Sequence, residues 1–111
     1  MTKMRYRSID DDIFEYLSTH PEQQVPYVAD ALHDDDVPIL SFLLALRQVA
    51  RVRGKGIAEL SSETSLNREN LYRMLSRKGN PTFSNVVAIM DSIGLEFTVR
   101  EKKKSKPVRR V

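Results

Sequence analysis

The chain has 111 residues with 41% apolar content, enough for one domain with a real core and too few for two comfortable ones. It has no cysteine, which excludes disulfides, thiolate zinc sites and cysteine nucleophiles, and fits a reducing cytoplasm. The net charge of +3 conceals an asymmetry, because every Asp, Glu, Lys or Arg between Ser8 and Leu46 is acidic: Asp10, Asp11, Asp12, Glu15, Glu22, Asp30, Asp34, Asp35 and Asp36.

Residues 1–8 are polar and read as a flexible N-terminus, with no hydrophobic region behind Met1 to Tyr6 to suggest a signal peptide. Asp10-Asp11-Asp12 precedes Ile13-Phe14-Glu15-Tyr16-Leu17, and Asp is a good N-cap, so a short helix is expected there, closed by His20-Pro21. A second helix is expected from Val25 to Leu32, with Val28, Ala31 and Leu32 inward and Pro26 in its first turn. Together these make an acidic N-terminal unit over 9–36. The core of the domain C-terminal to it is expected to form without residues 1–22.

Asp34-Asp35-Asp36 should cap a third helix over about Val37 to Arg53, ended by Gly54. Its first half is apolar nearly all round (Ile39, Leu40, Phe42, Leu43, Leu44, Ala45, Leu46), so it should be covered on more than one side. No apolar run approaches the ~18 residues of a membrane span.

The most informative stretch runs from Leu60 to Leu75. Leu60, Leu66, Leu71 and Met74 have the spacing that two short helices need when a tight turn makes them cross steeply. The helices are expected over Gly56 to Thr64 and Asn67 to Ser76. Residues on the outward face of the second could reach phosphates and base edges in a DNA major groove. Arg68 and Arg73 suit guanine, and Asn67 or Asn70 suits adenine, with Asn67 also a plausible N-cap. Tyr72 could touch a thymine methyl or a phosphate, or pack on the loop. Glu69 suits an intrahelical pair with Arg73 better than a base contact. Arg77 and Lys78, in a basic loop ending Gly79-Asn80-Pro81, suit phosphate. The DNA-facing set is therefore Asn67, Arg68, Glu69, Asn70, Tyr72, Arg73, Arg77, Lys78 and Asn80. Arg47 to Lys78 carries eight bases (Arg47, Arg51, Arg53, Lys55, Arg68, Arg73, Arg77, Lys78) against Glu59, Glu63 and Glu69, which suits a polyanion.

Thr82 should cap a last helix with Phe83, Val86, Val87, Ile89, Met90 and Ile93 in the core, and Gly94 should end it, closing a helix-turn-helix domain over 37–94. Leu95 to Arg100 alternates apolar and polar as a β-strand does. A lone strand edge invites pairing with a second copy, so Leu95, Phe97 and Val99 are the expected homodimer contacts. Residues 101–111 form a basic tail expected to be disordered. Whether it follows phosphates is left open by composition.

Other constellations carry little chemistry. Three consecutive carboxylates do not converge on one cation, and His20 and His33 are solitary, so no metal or cofactor is expected. Ser61 and Ser62 have no predicted base beside them, and no enzyme is expected.

The segments Val49 to Gly54, Leu60 to Leu75, Gly79 to Phe83 and Ile93 to Leu95 resemble the addiction-module antidote family. Members are helix-turn-helix antitoxins similar to HigA, encoded beside toxins of the RelE/ParE superfamily. The resemblance covers about residues 25–100, and its most telling pieces are Asn67-Arg68-Glu69-Asn70-Leu71-Tyr72 and Gly79-Asn80-Pro81. The chain departs from it at the turn, where Ser65 stands in place of a common Gly, and at Ser61, where Ala is usual. The resemblance implies a homodimer that binds double-stranded operator DNA, represses its own operon and neutralises a RelE/ParE-type toxin. Asp10, Asp11, Asp12 and Glu15 are the expected toxin contacts, since an acidic surface would steer a basic partner.

The expected fold is all-α: a lambda-repressor-like helix-turn-helix bundle with extra N-terminal helices and a short C-terminal β-strand. The alternatives are a stand-alone or phage-type repressor without a toxin, and a protein-interaction module that no longer binds DNA.

Overall fold

Six α-helices account for the regular structure in the computed structural model, which describes residues 8–76 and 80–102. The first, α1 (Ile9–Thr19), begins at Ser8, whose Oγ accepts a hydrogen bond from Asp11 N at 3.0 Å. Asp10, Asp11 and Asp12 therefore lie inside the first turn rather than ahead of it. Their charge still suits the positive helix end. Leu17 is fully buried and Ile13, one turn earlier, is partly buried against the same core. His20 closes the helix: its Nδ1 lies 2.9 Å from Tyr16 O and its ring stacks on Tyr16.

A single 3-10 turn, Pro21–Gln23, leads into α2 (Gln24–Ala31), which buries Val28. Leu32, expected inward, is 42% exposed, because the helix ends one residue before it. Asp34 then organises the turn into the next helix. One carboxylate oxygen accepts from Asp36 N and Val37 N, both at 2.8 Å, and the other accepts from the Ser41 hydroxyl at 2.7 Å.

The central helix α3 (Pro38–Val52) starts with Pro at N1, where its missing N–H costs nothing. It buries Phe42, Leu43, Ala45, Leu46, Val49 and Ala50, while Ile39 and Leu44 stay exposed, so the apolar run is covered on most sides but not all. Gly54 takes φ +80° just beyond it, a backbone state that glycine adopts without strain. Next come α4 (Ile57–Thr64) and α5 (Arg68–Met74), joined by residues 65–67, and then α6 (Phe83–Ser92), which Thr82 caps by accepting from Asn85 N at 3.2 Å.

α1 and α2 pack on α3, and α4 packs on α5 and α6. Side chains from all six helices belong to one buried cluster. Leu17 of α1 and Val28 of α2 are part of it, so the acidic helices share the core of the domain that follows them. Polar brackets reinforce the join. Buried Gln24 donates from Nε2 to Leu17 O (3.0 Å) and accepts at Oε1 from Arg53 Nε (2.9 Å). Arg53 Nη1 in turn donates to Ile93 O at 2.7 Å. Glu63 of α4 accepts from Lys55 and from Ser92 of α6.

Two further sequence expectations need correction. Leu95 to Arg100 is not a strand, since no ladder partner exists for it among the described residues, all of whose regular elements are helical. Instead, Leu95 is partly buried and the Phe97 ring packs 6.0 Å from Phe42 and 5.2 Å from Phe83. Phe83 and Val87 also fall outside the core: the buried stripe on and just beyond α6 is Val86, Ile89, Met90 and Ile93, and Phe83 is 69% exposed.

Candidate nucleic-acid interface

Ser65 makes the α4–α5 pair possible. It is the single non-glycine residue with positive φ among the described residues, at φ 66°, ψ 9°. That left-handed step ends α4 and turns the chain. Leu66 packs against the core from the turn, and Leu60 and Leu71 are fully buried beneath it. Thr64 Oγ1 ties the corner by donating to Leu60 O at 2.7 Å and accepting from Leu66 N at 3.3 Å.

At the start of α5, Asn67 Oδ1 accepts from Asn70 N at 2.8 Å. The Asn67 cap is thus in place, and its side-chain NH2 remains as donor. Leu71, Met74 and Leu75 point inward. Arg68, Glu69, Asn70, Tyr72 and Arg73 are all exposed. The short helix therefore presents one polar, net positive face. Arg73 Nη1 reaches Asn70 Oδ1 at 3.4 Å, so its intrahelical contact is with Asn70 rather than with Glu69. Asn80 is exposed ahead of α6. Arg77 and Lys78 lie outside the described residues.

Beside α5 is a cleft of about 380 Å³, lined by Arg47 and Arg51 of α3, Lys55 and Gly56 of the turn, Glu59 of α4, and Arg68 and Tyr72 of α5. In the sequence, Arg47, Arg51 and Lys55 count only as charge. The signal that could single out Arg47 and Arg51 is their four-residue spacing, which keeps them on one face of α3; Lys55 lies past Gly54, where helical spacing no longer applies. Arg47 is braced by donating to Leu75 O at 3.4 Å. Arg53, in contrast, is turned inward to Gln24 and Ile93.

The other predicted site residues sit apart from this face. Asp10, Asp11, Asp12 and Glu15 are exposed on α1. Asp10 Oδ1 accepts from Gln48 Nε2 of α3 at 3.0 Å, so it is fixed to the core helix. Its charge also contributes, after burial, to raising the nearby Tyr27 hydroxyl above the ordinary tyrosine pKa. Phe97 and Val99 are exposed on the C-terminal segment, and Phe97 and Phe83 form one aromatic patch there. No group of three or more His, Asp or Glu side chains among the described residues is placed to hold a metal ion, and no described helix is long and apolar enough to cross a membrane.

A family model described as "Probable addiction module antidote protein" matches residues 7–101. An uncharacterized protein of Haemophilus influenzae is 33% identical over 94 residues, covering 85% of this chain and 92% of the relative. No solved structure matches. The family match runs through all six helices, from the acidic α1 to the segment beyond α6. The chain belongs to the addiction-module antidote family, which points to an antitoxin role in a toxin–antitoxin module.

Proposed function

We propose that the protein is an antitoxin that binds operator DNA as a homodimer, represses its own operon and neutralises a small toxin of the RelE/ParE type. The observation that carries the DNA part is the α4–α5 corner. A left-handed turn, a capped second helix and an inward Leu71/Met74 stripe leave Arg68, Asn70, Tyr72 and Arg73 on one exposed face. A helix-turn-helix uses such a face in the major groove. Asn67, Glu69, Asn80, Arg77 and Lys78 complete the proposed DNA set.

A single short recognition helix reads few base pairs, so two half-sites are expected. The proposed dimer surface is the C-terminal segment, with Leu95, Phe97 and Val99, next to Phe83 of α6. Supporting it is the amount of apolar surface there: Phe83 is 69% and Val99 97% exposed. The proposed toxin surface is the acidic face of α1, with Asp10, Asp11, Asp12 and Glu15.

The test of DNA binding is a gel shift on the promoter region of the chain's own operon. Arg73→Ala should weaken binding by about 1–3 kcal/mol and relax discrimination at one base position, and Arg68→Ala should weaken binding as well. Retention of full operator affinity by both variants would rule out this use of α5. For the toxin, co-expression with the adjoining gene product gives a growth readout. Joint Asp11→Asn, Asp12→Asn and Glu15→Gln substitution should reduce rescue; unchanged rescue moves the interface elsewhere.

A further inference from the structure

Arg51 stands where the acidic and basic halves of the molecule meet. Its guanidinium carbon lies 4.7 Å from the centroid of the Phe14 ring of α1, a cation–π distance. Its Nη1 lies 3.3 Å from Gln48 Oε1 and donates to it. Gln48 is a buried polar side chain, 6% exposed, and its Nε2 donates to Asp10 Oδ1 at 3.0 Å. α1 thus grips Arg51 in two ways, through the Phe14 face and through the Asp10–Gln48 relay. Of the five guanidinium donors these contacts use one, so the fork can still bind an anion.

Arg51 lies on the wall between two clefts: one is shared with Asp10 and Tyr27 on the α1 side, and the other also holds Arg47, Lys55 and Arg68. Lys55 is neutralised by Glu63, and the one carboxylate in the lining of the second cleft, Glu59, is turned to Gly56 N at 3.0 Å. Arg47, Arg51 and Arg68 come from two helices and outnumber Glu59, so the cleft keeps a net positive charge that favours an anion. A tetrahedral oxyanion suits two planar forks, each able to donate two parallel bonds.

We infer that Arg51 and Arg68 clamp one phosphate group in this cleft, and that α1 is a positioning element for the clamp through Phe14 and Gln48. The inference rests on the DNA-binding reading, with a backbone phosphodiester as the ligand. A free phosphate ion has the same chemistry and is the other source. The arrangement gives α1 a share in DNA affinity although it lies on the acidic side of the molecule. A partner that seizes Asp10 or displaces Phe14 would therefore loosen a phosphate contact.

The test measures binding of a random-sequence 30-base-pair duplex by fluorescence anisotropy between 50 and 200 mM KCl, with thermal melts to confirm folding. Arg51→Gln should lower the slope of log K against log salt by about 0.9 and weaken binding about tenfold at the low-salt end, the loss of one phosphate contact. Phe14→Leu should weaken binding severalfold with the charge, and hence most of the slope, retained. Phe14→Tyr, which keeps an aromatic face, should restore it. An Arg51→Gln variant that matches a DNA-binding wild type in slope and affinity overturns the clamp and leaves the DNA reading standing. A Phe14→Leu variant that matches wild type overturns the part given to α1. Amide resonances of Ile57 and Ala58, which also line the cleft, separate the two sources. Shifts with the duplex alone assign the site to the DNA backbone, saturable shifts with inorganic phosphate that Arg51→Gln abolishes assign it to a free anion, and shifts with neither overturn it. A wild type that binds neither duplex nor phosphate overturns both readings.

Discussion

Replacing Ser65 by Gly should stabilise the protein. Ser65 sits at φ 66°, ψ 9°, where a Cβ crowds the following carbonyl at a cost of about 1–2 kcal/mol for an L-residue. Glycine has no such cost, but it gives up more backbone entropy on folding, about 0.5–1 kcal/mol. The corner is tied by Thr64 Oγ1 and by burial of Leu60 and Leu71, none of which needs the Ser65 side chain. The net gain should be about 0.5–1 kcal/mol, a rise in Tm of about 2–5 °C for a domain of this size. Ser65→Val should move Tm the other way, because a branched Cβ fits the left-handed region worst. Denaturant titration of wild type, Ser65→Gly, Ser65→Ala and Ser65→Val measures all of this. The reasoning fails if Ser65→Ala stabilises as much as Ser65→Gly, because removal of strain would then not be the cause.

Leu71→Ala should cost about 2–5 kcal/mol by opening a cavity under the α4–α5 corner, read as a loss of Tm and of DNA binding together. Gln24→Leu strips Arg53 Nε and Leu17 O of their buried partner and should cost about 1–3 kcal/mol in a urea melt. Deleting residues 1–22 removes Leu17 from the core, so that chain should show a broadened or absent cooperative melt. The Asp34 carboxyl is held below its ordinary pKa by Val37 N, the Ser41 hydroxyl and Asp36 N, and that of Glu63 by Lys55 and then Ser92. Both pKa values are depressed in the folded state, so the stability they provide is complete above the unfolded values, about pH 4, and is lost as pH falls through the folded ones. Asp34→Asn with Glu63→Gln should therefore flatten the acid limb of a Tm-against-pH profile below about pH 4; an unchanged limb would contradict it.

The helical order was legible in the sequence because local signals agree with it. Thr82 and Asn67 are caps, Pro38 opens α3, Gly54 closes it, and the Leu60–Leu66–Leu71–Met74 spacing marks the corner. Each of these depends on backbone chemistry within a few residues. What only the tertiary structure decided are the contacts between residues far apart in sequence. Arg53 looked like part of a basic face, yet Gln24 and Ile93 turn it inward. Phe83 looked like core, yet it lies beyond the buried stripe of α6 and meets Phe97 instead. Leu95 to Arg100 alternates like a strand, but a strand needs a neighbouring edge, and the described chain offers only helices. Asp10 looked like a helix cap on a separate acidic unit, while packing against α3 brings it to Gln48, thirty-eight residues away, and through that to Arg51. Charge and periodicity specify which faces are polar; which polar groups meet is set only when the helices close on one another.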